Sequence, residues 1–405
     1  MAKGAMAMEC PRCGGEMQFD PTLDKLKCIY CDSTFTVEEV EAAFAEKEQK
    51  TIERSSGSEE ESGDMKSYTC SNCSAELMTD ANTAVMRCPY CGNSTVAPSQ
   101  FEGSLRPDVI IPFGFTKEQL ITNYKAYYQK RFLVPKSFIN NNKIEEIQGV
   151  YVPFWLYSGK ADVDAEYEGR EETEKGDTKT IKYYDVKRKG TLDFENVPAD
   201  ASKRMPNDLM DSIEPYNFEG CKKFSITYLP GFLAERYDET ADENRKRTEE
   251  RVKNTTSQKT RATTDYDEMD VVHEKINVTY DADKYAMLPV WYFTSKWGDK
   301  NYSFAMNGQT GKLIGDLPIS VPKMLFTGLI AFLIPFLICY FALSSAAAGV
   351  IFGIIAALIT MYAGYANTKP VVRATSAFNY IKEDIKLSVK EDEYVKTVTE
   401  KIKKD

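Results

Sequence analysis

The sequence predicts an α+β protein built in parts: two small four-cysteine zinc ribbons, a mixed α+β body, and a two-helix transmembrane hairpin. Three observations carry this. Eight of the ten cysteines in the 405-residue chain fall in C-x2-C pairs. Residues 105–320 alternate helical and strand-like patterns. From Met324 to Ala366 no residue is charged.

The first ribbon spans 8–37. In "CPRCGGEMQFDPTLDKLKCIYC" the ligand candidates are Cys10, Cys13, Cys28 and Cys31, in two C-x2-C pairs. The same spacing recurs at Cys70, Cys73, Cys88 and Cys91, in a second ribbon at 67–99. Zinc takes four soft ligands in a tetrahedron, and each C-x2-C turn delivers two thiolates. Glycine after the second cysteine lets the turn curl, and Asp32 and Ser74 stand in that place in the other pairs. Two structural Zn2+ sites are expected, with rubredoxin-like iron as the rival. All four positions are cysteine, so neither site keeps a place for catalytic water. A disulfide framework is disfavoured: "MAKGAMAMECPRC" has no signal-peptide core, and thiolates need a reducing compartment.

Between the ribbons lies an acidic linker, 38–66. Its first half, "VEEVEAAFAEKEQ", spaces Val37, Val40 and Phe44 at helical intervals. "RSSGSEEESGD" reads as flexible.

In the body, "FTKEQLITNYKAYYQKRF" predicts an amphipathic helix with Thr116 as N-cap. "GVYVPFWLYSGKADVDAEYEG" and "TKTIKYYDVKRKGTLDFENV" are rich in β-branched and aromatic residues and predict strands. "DETADENRKRTEERVKN" predicts a very polar helix, and three strands are expected after it. "YVPFWLY" (151–157) echoes "MLPVWYF" (287–293). This is either an internal duplication of helix-then-hairpin units or the recurrence of a Trp-bearing core strand. "NGQTGKL" (307–313) predicts a tight turn, with Asn307, Gly308 and Gly311 at positive φ; it lacks the ending of a phosphate loop.

The apolar run 324–366 would be about 64 Å long as one helix, twice a bilayer's ~30 Å core. The small-residue break "SSAAAG" divides it into two spans. Lys323 precedes the run and Lys369 and Arg373 follow it, so both termini are expected in the cytoplasm. Ser345, Gly349, Gly353 and Ala357 recur every four residues. They suit packing against the first span, where Gly328 helps, or else self-association into a homo-oligomer. Pro335 is expected to kink the first span. The tail, 370–405, reads as a charged helix, with Phe378, Ile381 and Ile385 on one face.

Charge argues about partners. The net charge is −10. Arg12, Lys25 and Lys27 face Glu9, Glu16, Asp20, Asp24 and Asp32 on the first ribbon, and Arg87 faces Glu76 and Asp80 on the second. Each four-thiolate zinc centre adds formal charge −2. Nucleic acid is therefore disfavoured as a partner. No enzyme is expected: His273 is the single histidine, predicted at the surface, Cys221 and Cys339 stand alone, and no catalytic motif is found.

Taken together, the paired ribbons, "IPFGFTKEQ", "GVYVPFWLY", "IEPYNFEGCKKF", "LPGFLAERYD", "LPVWYF", "NGQTGKLIGDLP" and the terminal hairpin resemble the bacterial TFIIB-type zinc-ribbon membrane proteins. The resemblance covers nearly the whole chain. It implies a scaffolding or recruitment role beside flotillin-like or phage-shock-like proteins. The expected function is a membrane-anchored adaptor at the cytoplasmic face of the bacterial membrane. A membrane-tethered nucleic-acid-binding or regulatory protein is the alternative.

Overall fold

The computed structural model describes residues 3–5, 8–43, 106–129, 131, 133–140, 147–342, 345–368, 371 and 373–401, and the backbone of strands at 65–70, 76–80, 83–87 and 94–96. Before the body come β1 (Lys3–Ala5), β2 (Met17–Asp20), β3 (Lys25–Cys28), β4 (Thr34–Phe35), helix α1 (37–43), β5 (Met65–Cys70), β6 (Glu76–Asp80), β7 (Thr83–Arg87) and β8 (Ser94–Val96). The body continues with β9 (Val109–Ile110), α2 (Lys117–Gln129), α3 (Lys136–Asn140), β10 (Gln148–Lys175), β11 (Thr178–Asp200), α4 (Asn207–Ser212), β12 (Lys222–Lys223) and β13 (Leu233–Glu235). It ends with α5 (Ala241–Arg261), β14 (Glu268–Tyr280), β15 (Lys284–Trp297), β16 (Lys300–Asn307) and β17 (Leu313–Gly315), followed by α6 (Val321–Ala342), α7 (Ala346–Thr368) and β18 (Lys386–Lys401). Helices and sheets are both well represented, so the chain is α+β. Its residues divide into two units.

The first unit takes Met1–Pro153, Ser202–Asp238 and Met287–Arg373. Its sheet runs β12-β9-β15-β10-β13-β7-β8, with β16 and β17 continuing from β15. Aromatic rings fill the core: Phe113 stacks on Phe232 at 4.0 Å and meets Trp291 edge-on at 5.1 Å. Helix α2 begins as its sequence predicts. The Thr116 hydroxyl accepts from the Gln119 amide, the Gln119 side chain accepts from the Thr116 amide, and Leu120 and Tyr124 are buried.

The 307–311 turn differs in detail from its expectation. Gly311 has φ 75°, but Gly308 does not have a positive φ. Gly308 is there for space, since a Cβ would lie 2.7 Å from both Phe113 and Pro289. Asn307, fully buried, accepts the Gln309 and Thr310 amides and donates to the Ile213 and Pro215 carbonyls.

Helices α6 and α7 each offer 21 residues apolar and long enough to cross a membrane. Their contact uses the small-residue stripe. A Cβ on Gly353 would lie 2.8 Å from the Phe332 carbonyl oxygen, one on Gly349 3.0 Å from that of Phe336, and one on Gly328 2.9 Å from Met361 Sδ. Ser345 begins α7, its hydroxyl accepting the Ala348 amide.

The second unit takes Phe154–Ala201, Glu239–Ala286 and Ala374–Asp405. Its strands lie in the order β14-β10-β11-β18, all antiparallel. Alternation along β10 buries Ala161, Val163, Ala165 and Tyr167 on the face where α5 packs. The opposite face is charged. Asp162, Asp164 and Glu166 meet Thr191, Lys189 and Lys187 across the β10–β11 pair, at 2.6, 2.8 and 3.9 Å. His273 is exposed on β14, opposite Glu166. Helix α5 opens with a capping box of Thr240 and Glu243.

The tail corrects its sequence reading. Residues 378–380 form one 3-10 turn, and Lys386–Lys401 is not helix but an edge strand on β11. Val395 and Val398 fit a helical period, yet the β-branched run Val395, Thr397, Val398, Thr399 suits a strand, and pairing with the distant β11 decides it. Of the acidic linker, helix α1 is present, with Thr36 and Glu39 as its capping pair; residues 44–64 lie outside the described residues.

Candidate metal centre

The first ribbon is a three-stranded sheet, β2-β3-β4. Its two cysteine turns are built alike. The Gly14 amide donates to the Cys10 carbonyl at 2.9 Å, and the Asp32 amide to the Cys28 carbonyl at 3.1 Å. The Cys10 amide reaches the Gly15 carbonyl at 2.7 Å, and the Cys28 amide the Ser33 carbonyl at 2.9 Å. Each turn pivots on a left-handed residue, Gly14 at φ 74° and Asp32 at φ 56°. Asp32 thus takes the glycine's place, as a short polar side chain can.

These turns bring four sulfurs together, all within 4.8 Å of one another. Cys10 and Cys31 Sγ are 3.7 Å apart, and Cys13 and Cys28 Sγ 3.5 Å. A tetrahedral zinc site with Zn–S near 2.3 Å has S···S edges of about 3.8 Å, so the donor set fits such an ion. The Arg12 amide points at Cys10 Sγ from 3.4 Å, a contact that steadies a thiolate. The Ser33 hydroxyl and amide lower the Cys31 pKa to about 6. Cys10 and Cys28 are buried, as are Met17 and Leu26 of the ribbon sheet, while Cys13 is exposed. Cys10, Cys13, Cys28 and Cys31 therefore form a candidate metal site. In the second ribbon, Cys70 closes β5, and Cys73, Cys88 and Cys91 lie outside the described residues.

The chain is 31% identical over 330 residues to the uncharacterized protein YdjG of Bacillus subtilis (strain 168), covering 79% of this chain and 92% of YdjG. The chain belongs to the YdjG family. No family model matches it, and no solved structure matches it.

One property of this YdjG-family chain was not legible in its sequence: the first ribbon is docked on the body rather than carried on a free arm. The Phe19 amide donates to the Pro230 carbonyl at 3.0 Å, and the Phe19 ring meets Tyr228 edge-on at 5.4 Å. Asp24 lies 3.9 Å from Lys222. Gly231, at φ 93°, takes a backbone conformation that favours glycine, and Gln18 packs over it. The same segment receives the second ribbon, since β7 pairs with β13 through Val85 and Ala234. The segment that meets the ribbon is "YLPGFL", whose proline and glycine mark a break in regular structure without naming what docks there.

Between ribbon and body lies a cleft of about 1280 Å³. Gln18, Lys27 and Asp32 line one wall and Phe232, Trp291 and Phe293 the other. The Trp291 indole N–H is buried and has no hydrogen-bond partner. Glu235 and Arg204 line the cleft too, 3.5 Å apart.

Proposed function

We propose that this protein is a membrane-anchored zinc-ribbon adaptor that recruits a protein partner to the cytoplasmic face of the bacterial membrane, as its resemblance to TFIIB-type zinc-ribbon membrane proteins implies. Zinc fills the Cys10, Cys13, Cys28, Cys31 site, and a second zinc the Cys70, Cys73, Cys88, Cys91 set. Both sites are structural: with four cysteines each, neither keeps a position for a reacting water. Helices α6 and α7 span the bilayer, with both termini in the cytoplasm. Flotillin-like or phage-shock-like proteins are the partner class that the resemblance suggests. The protein is not an enzyme on this reading.

The observation that carries the proposal is that the thiolate ribbon and the two apolar helices belong to one folded unit. Metal binding then supplies part of the folding energy of a surface anchored at the membrane. The cleft beside the ribbon offers a partner a half-apolar wall and a buried donor.

The test is affinity capture from membranes, with wild-type protein compared with Cys10→Ser/Cys13→Ser. The expected result is a soluble protein recovered with the wild type and lost with the variant, while one of two bound zinc ions disappears on elemental analysis. Equal recovery without the metal would sink the adaptor reading. Salt-sensitive binding of RNA or DNA instead would replace it with the nucleic-acid alternative.

A further inference from the structure

We propose that the connection between α2 and α3, through Arg131 and residues 133–136, is a further membrane-facing element that seats the body on anionic phospholipid headgroups. The inference rests on reading α6 and α7 as membrane spans. Hydropathy does not flag this segment: "KRFLVPK" (130–136) is far too short to cross a bilayer.

Contacts place it at bilayer level. Gly364 lies inside the apolar window Ala346–Ala366, two residues from its end. A Cβ there would collide with Leu133 Cδ1, so the body's Leu133 presses on a residue within the span. Two residues of helix rise are about 3 Å. Leu133 therefore sits at the boundary of hydrocarbon and headgroups. Two further contacts fix it to the start of α6. The Ser320 amide donates to the Leu133 carbonyl at 2.8 Å, and Lys323 Nζ donates to the Val134 carbonyl at 2.7 Å. Leu133 and Val134 are 3% and 1% exposed, so these two residues form a fixed plug at the foot of the hairpin.

Basic groups bracket that plug. Arg131 lies over the Tyr127 ring at 3.6 Å, and Lys136 is exposed on α3. The orientation of α3 is set by Phe138, which meets Trp297 at 5.5 Å and Tyr302 at 5.7 Å. Lys300 pairs with Trp297 in the β15–β16 hairpin and is exposed. Among the described residues the acidic side chains beside this set are Asp299, in the hairpin turn, and Asp316, whose charge acts on Tyr127, against Arg131, Lys136, Lys300 and Lys323. Basic and indole side chains at such a boundary are the pattern of interfacial anchoring. The surface is continuous with the feet of the two spans, so its occupant is the leaflet those spans cross.

The experiment uses full-length protein in vesicles of phosphatidylcholine, with or without phosphatidylglycerol. Lys136→Trp reports depth through quenching by lipids brominated close to the headgroup. Lys136→Glu/Lys300→Glu reports preference for phosphatidylglycerol by native mass spectrometry, with its melting temperature checked against wild type. Carbonate extraction reports the spans separately. We expect quenching at position 136, and phosphatidylglycerol retention weakened about fivefold or more for each charge removed. Resistance to carbonate without quenching, or with unchanged lipid preference in the charge variant, would overturn the seat and leave the spans standing. Release by carbonate would overturn the spans and the seat with them. Displacement of phosphatidylglycerol by inorganic phosphate would assign the site to free phosphate and defeat the lipid assignment.

Discussion

Helix α5 and the pair α6–α7 invert the usual relation between composition and burial. Helix α5 reads ADENRKRTEERVKNTTSQKTR, yet it buries Asn244, Arg247, Thr248, Arg251, Val252, Thr255, Thr256 and Thr260. Helices α6 and α7 are nearly all apolar, yet Phe326, Ile338, Phe341 and Leu358 are 58–77% exposed. The difference lies in the partner each side chain meets. On α5 each buried charge has one. Arg247 meets Asp200 at 2.5 Å, and Arg251 donates to the Ser376 and Pro198 carbonyls at 3.2 and 2.9 Å. The hydroxyls of Thr255, Thr256 and Thr260 donate to carbonyls four residues back. On α6 and α7 the outward side chains need no specific partner, because the expected solvent is lipid.

Breaking the pairing on α5 should have the largest effect. Arg247→Ala leaves Asp200, which is 0% exposed, without its counter-charge. Removal of one partner from a buried ion pair costs about 3–5 kcal/mol. Thermal unfolding in detergent should show a large loss, and proteolysis should become fast within 154–201 and 239–286. A loss below about 1 kcal/mol would mean that other groups, not Arg247, satisfy Asp200.

The second effect tests the apolar pair. Gly353→Val forces a branched side chain against the Phe332 backbone, and overpacking of this kind costs about 1–3 kcal/mol. Engineered cysteines flanking the α6–α7 contact should cross-link more slowly. Unchanged cross-linking would show that the stripe is not the contact.

The same contrast explains which parts of the chain were legible in its sequence. The apolar run, the four-cysteine spacing, the α2 cap and the strands of β10, β11 and β14 depend on local pattern, and all were readable. The ribbon's attachment depends on Phe19 meeting Pro230, and the tail's strand on Val398 meeting Ile181, both across long loops. Neither leaves a periodic trace. The buried face of α5 was also invisible, since its threonines and arginines look solvated until Asp200 and the 374–377 segment are placed against them.

A smaller effect is expected at the metal turn. Asp32 holds φ 56°, so Asp32→Val should cost about 1–2 kcal/mol through backbone strain, whereas Asp32→Gly should cost little. The lost ion pair to Lys27 is exposed and contributes little. Metal retention against a chelator is the readout. Equal retention by the valine and glycine variants would remove the turn's conformation from the account of the site.

The smallest effect tests the rule that a buried charge needs a close partner, at a carboxylate held only by a hydroxyl and a more distant arginine. Glu235 is largely buried, with the Ser202 hydroxyl at 3.0 Å and Arg204 no nearer than 3.5 Å. Burial raises its pKa above the ordinary carboxylate value, and Ser202 and Arg204 only partly offset this. A raised folded-state pKa means that the folded protein holds the proton more tightly than the unfolded chain. The associated stability is fully present below the ordinary carboxylate pKa and is lost as pH rises through the folded value. Melting temperature should therefore slope downward over that window. Glu235→Gln keeps the shape and removes the ionisation, so it should flatten the slope and raise stability slightly at neutral pH. Arg204→Ala should steepen the slope by removing the attraction that favours the carboxylate. A Glu235→Gln profile parallel to wild type would show that the pH response arises at another group.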